Sequence, residues 1–391
     1  MKRLFLAAHI ACSMALPSAG SAAQPAPAKV VVLARQKTIT LERALIDGQK
    51  LWVPQDRVES ITGFELKPQG LCAGEICIPM PADGSWLMQS DGVTYLQVTL
   101  FAEKVGQVFA VDPEQHVWSF TAVPKAPTAP LMDGLAPDFA LPDRTGKLLR
   151  LSDFRGKKVL LLTWASWCAC RHDLAGWEPL YQELKGKGFE VIAVAQDTAG
   201  SQVTEKWYEK ANVTYTTLND TQHIVSSLYQ MINVPSGVWI DETGHLVRSA
   251  EVAYSKRQTV LGQPIGDDRY AAGLRDWVQK GAASIYVVSA DKLRARLAMR
   301  TPAERLAEAE FKLGVYFSEQ GNRELATRHW QAAQRLSPDN WNYHRQDWSF
   351  DKSTESVNWF AKFKQLGNKP YYEPVEFPAA ASPPKEERGG K

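Results

Sequence analysis

The run KKVLLLTWASWCACR, residues 157–171, does most to limit what this chain can become. From Val159 to Trp164 every position but Thr163 is apolar, and an unbroken apolar run without alternation marks a strand covered on both faces. A second strand of the same kind, FEVIAVAQD, ends at Gln196 and Asp197. Helical spacing fills about Asp173 to Lys185 between them and about Val203 to Lys210 after them. Beyond Pro235, GVWIDETGHLVRSA reads as a hairpin turning at Glu242 to Gly244. Strand, helix, strand alternation predicts an open α/β sheet, whose sites lie at the C-terminal ends of its strands. The first strand delivers that end directly to Cys168 and Cys170, which enclose only Ala169.

The chain has 391 residues, enough for two or three domains, and five cysteines. Its start carries Lys2 and Arg3, an apolar run from Leu4 to Leu16, and small residues ahead of Gln24. That is the pattern of a signal peptide over residues 1–23, cleaved near Ala23; a retained membrane anchor is the alternative. The expectation is an exported protein, periplasmic or otherwise extracytoplasmic. Cys12 leaves with the signal, and so do Lys2 and Arg3, which takes the formal charge from +2 to 0. A neutral chain offers no electrostatic footprint for nucleic acid. In an oxidising compartment the remaining cysteines read as disulfides or redox dithiols before they read as metal ligands.

Residues 29–123 alternate short apolar runs such as KVVVLA, KLWVP, VTYLQVTLF and QVFAVD with turns, which predicts a β-rich module. Within it DGQKLWVPQDRVESITGFELKP resembles the N-terminal stalk module of copper amine oxidase-like proteins, which implies a scaffold. Cys72 and Cys77 read as a structural disulfide, with a second exchanging dithiol, or a soft-metal site that adds Met80, as alternatives. A proline-rich linker follows over 124–137, then an α/β domain over 138–280. Over 301–345 paired helices are predicted, where Leu313, Gly314, Phe317, Ala326, Trp330, Ala333 and Pro338 fall at the spacing of a tetratricopeptide repeat. That hairpin serves as a cap or as a docking site for a protein partner. Residues 378–391 have the composition of a disordered tail.

The stretch APDFALPDRTGKLLRLSDFRGKKVLLLTWASWCACR, with NVPSGVWID further on, resembles exported thioredoxin-like redoxins of the TlpA/ResA type, within the grouping that also holds peroxiredoxin-like thiol antioxidants. The resemblance implies a thioredoxin-like fold, a central mixed β-sheet flanked by helices, here between an N-terminal β-rich module and a C-terminal helical repeat. It implies a thiol-disulfide oxidoreductase without a cofactor or bound metal. Its partners would be substrate proteins with disulfides or thiols and a membrane thiol electron donor. Cys168 takes the nucleophile's place at a helix N-terminus. Cys170 takes the resolving role if one spacer is deleted; in the rival register Arg171 stands at the second cysteine's position. Pro235 matches the family's cis-proline, which with Val234 would present backbone to an extended peptide beside Trp167. Arg171, His172 and Asp197 are candidates for tuning the thiol, whereas His223 and His245 carry no assignment.

On a regular helix residues two apart point to nearly opposite sides, so a Cys168–Cys170 bridge needs the helix to begin later or its first turn to deform. Such a pair is expected to be more oxidising than an ordinary dithiol reductant. Two other functions stay open: a thiol peroxidase, although Ala165 stands where a peroxide-binding threonine is usual, and a non-catalytic scaffold with inert cysteines.

Overall fold

The computed structural model describes residues 25–123, 134–297 and 300–378. The expected signal segment, most of the linker and all of the tail but Pro378 lie outside the described residues.

The N-terminal module is a seven-stranded sheet whose middle strands, Ala26–Ala34, Lys37–Asp47 and Lys50–Pro54, run antiparallel to their chain neighbours. The run VTYLQVTLF departs from expectation. It is a strand only over Val93–Gln97 and then a helix over Val98–Lys104, because Val98, Phe101 and Ala102 recur at helical spacing and bury together in the module's core. Beside the sheet, Cys72 and Cys77 stand directly opposite each other on the short strands Gly70–Ala73 and Ile76–Ile78 and are bridged. Gly70 enters that hairpin at φ 131°, where a Cβ would lie 2.1 Å from the Ile78 carbonyl oxygen.

The central domain is a five-stranded sheet with Lys158–Trp164 in the middle. Phe189–Ala195 pairs parallel on one side, followed by Thr216–Asn219, while Ser236–Ile240 pairs antiparallel on the other, followed by Leu246–Val252. The unbroken apolar run has its physical reason here. Leu160, Leu162 and Trp164 face one core with the helices Leu174–Leu184 and Arg269–Lys280, and Val159 and Leu161 face the other core. At its C-terminal end Thr163 is paired with Ser236; its Oγ1 donates to the Ser236 carbonyl at 3.2 Å and accepts from the Ser236 amide at 3.3 Å. This register places the loop after Trp164 beside the Val234–Pro235 peptide.

Helices Pro302–Glu319 and Arg323–Leu336 form a hairpin with Trp330 lying across Gly314. Its apolar face shares a core with Leu33, Ala110 and Val117 of the N-terminal sheet, and Arg328 and His329 both engage the buried Asp112. The chain does not stop contributing near residue 345. Helices Trp341–Trp348 and Glu355–Gln365 and the segment after them pack on the central domain, with Trp341, Phe363 and Tyr371 in the same core as Trp164 and Trp177.

Because a Cβ on Gly314 would sit 2.3 Å from Trp330 Cδ1, Gly314→Ala is expected to cost about 1–3 kcal/mol, measured by urea denaturation. An unchanged midpoint would show that Trp330 is free to move.

Candidate active site

The end of the central strand turns at Ala165–Trp167, and Ser166 fixes that turn. Its amide donates to Asp197 at 2.8 Å and its hydroxyl at 2.6 Å. Cys168 follows in extended conformation (φ −101°, ψ 141°) and caps a 3₁₀ turn over Ala169–His172; the α-helix proper starts only at Leu174. The delayed start accommodates the single residue between the two cysteines. Cys168 stands outside the helix, so its sulfur is not bound to point away from Cys170 as it would be within a regular helix. Asp173 anchors the helix start by accepting from the Ser255 amide at 2.7 Å and hydroxyl at 2.5 Å.

Both cysteines are free thiols, 2% and 3% exposed. The Cys168 sulfur accepts from the Cys170 amide at 3.3 Å and, as a thiol, donates to the Val234 carbonyl at 3.4 Å. Burial alone would push the Cys168 thiol up. The hydrogen bond from the Cys170 side chain, the charge of Arg345 and the Cys170 amide outweigh burial and hold it at about 6, against an ordinary 9.0. For Cys170 every large effect acts the other way: burial first, then the hydrogen bond and negative charge of Cys168, push its thiol far up. The pair is therefore one thiolate and one thiol sharing a site.

Val234–Pro235 is cis, and Val234 turns its carbonyl toward the Cys168 sulfur. The same carbonyl accepts from the Tyr372 hydroxyl at 2.6 Å. Trp167, expected to shield the thiolate and offer a peptide-contact surface, is covered at 3% exposure. Arg345 lies over its ring at 4.7 Å and donates to its carbonyl at 2.5 Å.

Arg171 donates at 3.1 Å to the carbonyls of Ser166 and Cys168 and stacks 4.6 Å over Trp207, so it braces the backbone of the turn. His172 lies edge-on to Trp207 at 5.1 Å, and burial, then Arg171 and Lys210, lower its pKa. The largest effects that pull the Cys168 thiol down come from Cys170 and Arg345. Asp197 is spent on the Ser166 contacts, and burial raises it to about 6. Cys72 and Cys77 belong to the N-terminal module and are not brought to this site. Among the described residues no three His, Cys, Asp or Glu side chains gather as a metal site.

Sequence reasoning missed Arg345, Tyr371, Tyr372 and also Tyr254, which lies edge-on to Tyr372 at 6.4 Å in the core that holds both cysteines. The available signal was the aromatic density of WNYHRQDWSF, VNWFAKF and PYYEPVEF, which announces a buried surface without saying against what.

Residues 133–250 match the AhpC/TSA family. A thiol-disulfide oxidoreductase ResA from Geobacillus kaustophilus is 35% identical over 120 residues, a match covering 30% of this chain and 68% of that protein. The thiol-disulfide oxidoreductase ResA of Bacillus subtilis is 30% identical over 115 residues, covering 29% of this chain and 63% of its own length. Among solved structures, the thioredoxin domain of a thiol-disulfide oxidoreductase from Bacteroides vulgatus is 25% identical, covers 29% of this chain and 84% of that one, and has a TM-score of 0.28. The family match ends at 250, so Arg345, Tyr371 and Tyr372 lie outside it.

Because the Cys168 thiol is held below its ordinary value, its thiolate adds stability to the reduced protein at high pH, and this is lost as pH falls through about 6. Asp173 and Asp197, raised to about 6 chiefly by burial, act oppositely: what they contribute is full below 3.8 and lost as pH rises through about 6. Denaturation of the reduced protein against Cys168→Ser largely cancels the carboxylates. The expected difference grows by up to about tenfold in equilibrium constant per pH unit between about 6 and 8. A flat difference would mean that Cys168 is an ordinary thiol.

Proposed function

The chain belongs to the thiol-disulfide oxidoreductases of the AhpC/TSA family, and from that premise we propose that it is exported and exchanges disulfides with substrate proteins, Cys168 attacking and Cys170 resolving. The observation that carries this reading is the asymmetry of the two buried thiols, one pulled down and the other pushed up by its neighbour. Cys168 thiolate attacks one sulfur of a substrate disulfide. A Cys168–substrate bond forms, the substrate's own bond breaks, and its other sulfur leaves as a thiolate that takes a proton from water.

In the mixed disulfide Cys168 carries no charge, so the two effects that, after burial, most raise Cys170 are gone. Cys170 then loses its proton more readily and attacks the Cys168 sulfur, releasing the second substrate thiol. Two electrons have passed to the substrate and a Cys168–Cys170 bridge has formed. The resolving thiol is thus activated only when there is something to resolve.

A site that stabilises the thiolate favours the reduced pair, which makes it a readier electron acceptor than thioredoxin at about −270 mV. This suits disulfide isomerisation, in which a membrane thiol donor returns a Cys168–Cys170 bridge to the dithiol; in disulfide donation the pair ends reduced and an electron acceptor must re-form the bridge. Export is supported by the signal-like start and by the bridged Cys72 and Cys77. The 302–336 hairpin reads as a cap, since its apolar face is taken by the N-terminal sheet. Peroxidase chemistry is disfavoured by Ala165, which offers no hydroxyl to a peroxide.

Cys170→Ser is expected to accumulate a mixed disulfide with a model disulfide protein, seen as a mass adduct on Cys168, while Cys168→Ser forms none. Equal turnover in native protein and Cys168→Ser would overturn the assignment. Since Tyr372 holds the Val234 carbonyl beside the sulfur, Tyr372→Phe is expected to speed the reaction of Cys168 with a bulky aromatic disulfide several-fold in stopped flow. An unchanged rate would show that this contact does not limit access.

A further inference from the structure

Arg345 sits on the helix Trp341–Trp348, nearly a hundred positions beyond the end of the family match at residue 250, yet its head group is part of the cysteine site. One guanidinium nitrogen donates to the Trp167 carbonyl at 2.5 Å and another to the Tyr371 hydroxyl at 3.2 Å, while its plane covers the Trp167 ring. Among the described residues no carboxylate lies within ion-pair distance of it. Arg345 is half-buried, and a guanidinium partly withdrawn from water without a carboxylate is favoured by another negative group facing it. The groups that face it include the Tyr371 and Tyr372 phenols and the two cysteines, and among them Cys168 is held toward its anion near neutral pH.

We propose that Arg345 is a positioning residue of the redox site: it supplies the counter-charge of the Cys168 thiolate and clamps the Trp167–Cys168 turn, so that the C-terminal segment completes the catalytic centre. This rests on Cys168 being the nucleophile. The other charged or titratable neighbours do not replace it. Arg171 turns one guanidinium nitrogen to the Ser166 and Cys168 carbonyls and packs over Trp207. His172 packs on Trp207, and its pKa is lowered. Asp197, when ionised, repels the thiolate, and Cys170, Tyr254, Tyr371 and Tyr372 bring no positive charge. The consequence is a coupling between docking and reactivity. Undocking the helix Trp341–Trp348 removes the charge and uncovers the sulfur together, so the thiolate is best stabilised while the segment is closed.

The test is a pH titration of thiolate absorbance near 240 nm on the reduced full chain, with Cys168→Ser in each background subtracted to remove the tyrosines. Arg345→Gln is expected to move the Cys168 midpoint up by about one pH unit or more, and Arg345→Lys, which keeps the charge, to restore much of it. A folded Arg345→Gln protein whose titration superimposes on the native curve overturns the proposal. If Arg345→Gln does not fold, Tyr371→Phe releases one anchor of the guanidinium; an upward shift supports the proposal and no shift overturns it. Mass analysis of the same samples after oxidation shows whether Cys168 and Cys170 bridge. Absence of that bridge in native protein would count against the catalytic reading, whatever the titration says about Arg345.

Discussion

Cys168 is 2% exposed, and its sulfur still sits in surroundings that favour the anion. Burial opposes the charge, so the site depends on donors and charges arriving from separate parts of the chain. The Cys170 amide and side chain come from the 3₁₀ turn, while the Val234 carbonyl, set in place by the central strand's register, accepts from the sulfur only in its protonated form. The positive charge comes from the C-terminal region. The central sheet alone would supply the turn and the carbonyl. It would not supply the guanidinium.

This dependence explains why the chain after the 302–336 hairpin is so aromatic. Trp341, Phe363 and Tyr371 join the core that already contains Cys168, Cys170 and Trp177, and Tyr371 stacks edge-on against Trp341 at 4.6 Å. Asn342 fastens the same helix to the loop before the cis peptide, its side chain donating to the Met231 carbonyl at 3.1 Å and its amide to the Ile232 carbonyl at 3.2 Å. The cover is thus tied to the loop that carries Val234. Large apolar contact with a few directed hydrogen bonds gives one docked position and not a loose association.

Much of the central domain was legible in the sequence because its signals are local. An unbroken apolar strand, helical spacing after Asp173 and a proline before a second apolar strand each state their structure within a few residues. The late start of the helix could be read only as a requirement of the shortened cysteine spacing. The cover was not legible, because Arg345 and Tyr372 are ordinary residues until the fold brings them to Trp167 and Val234 across long sequence separations. Arg171, three residues from Cys168, is one of three tuning candidates that the sequence offers, and it turns a guanidinium nitrogen to the backbone of its own turn. In Val98–Lys104 the failure was of another kind: β-branched and aromatic residues favour a strand, and burial on one helical face overrode that preference.

The central claim is that Cys168 and Cys170 act as one redox pair despite their single spacer. Equilibrating the full chain in graded glutathione mixtures, alkylating the free thiols and locating them by peptide mass tests it most directly. The expected result is a reversible two-electron transition in which Cys168 and Cys170 become protected together, while Cys72 and Cys77 stay bridged throughout. Two thiols that titrate independently, or that form only separate glutathione adducts, would contradict it.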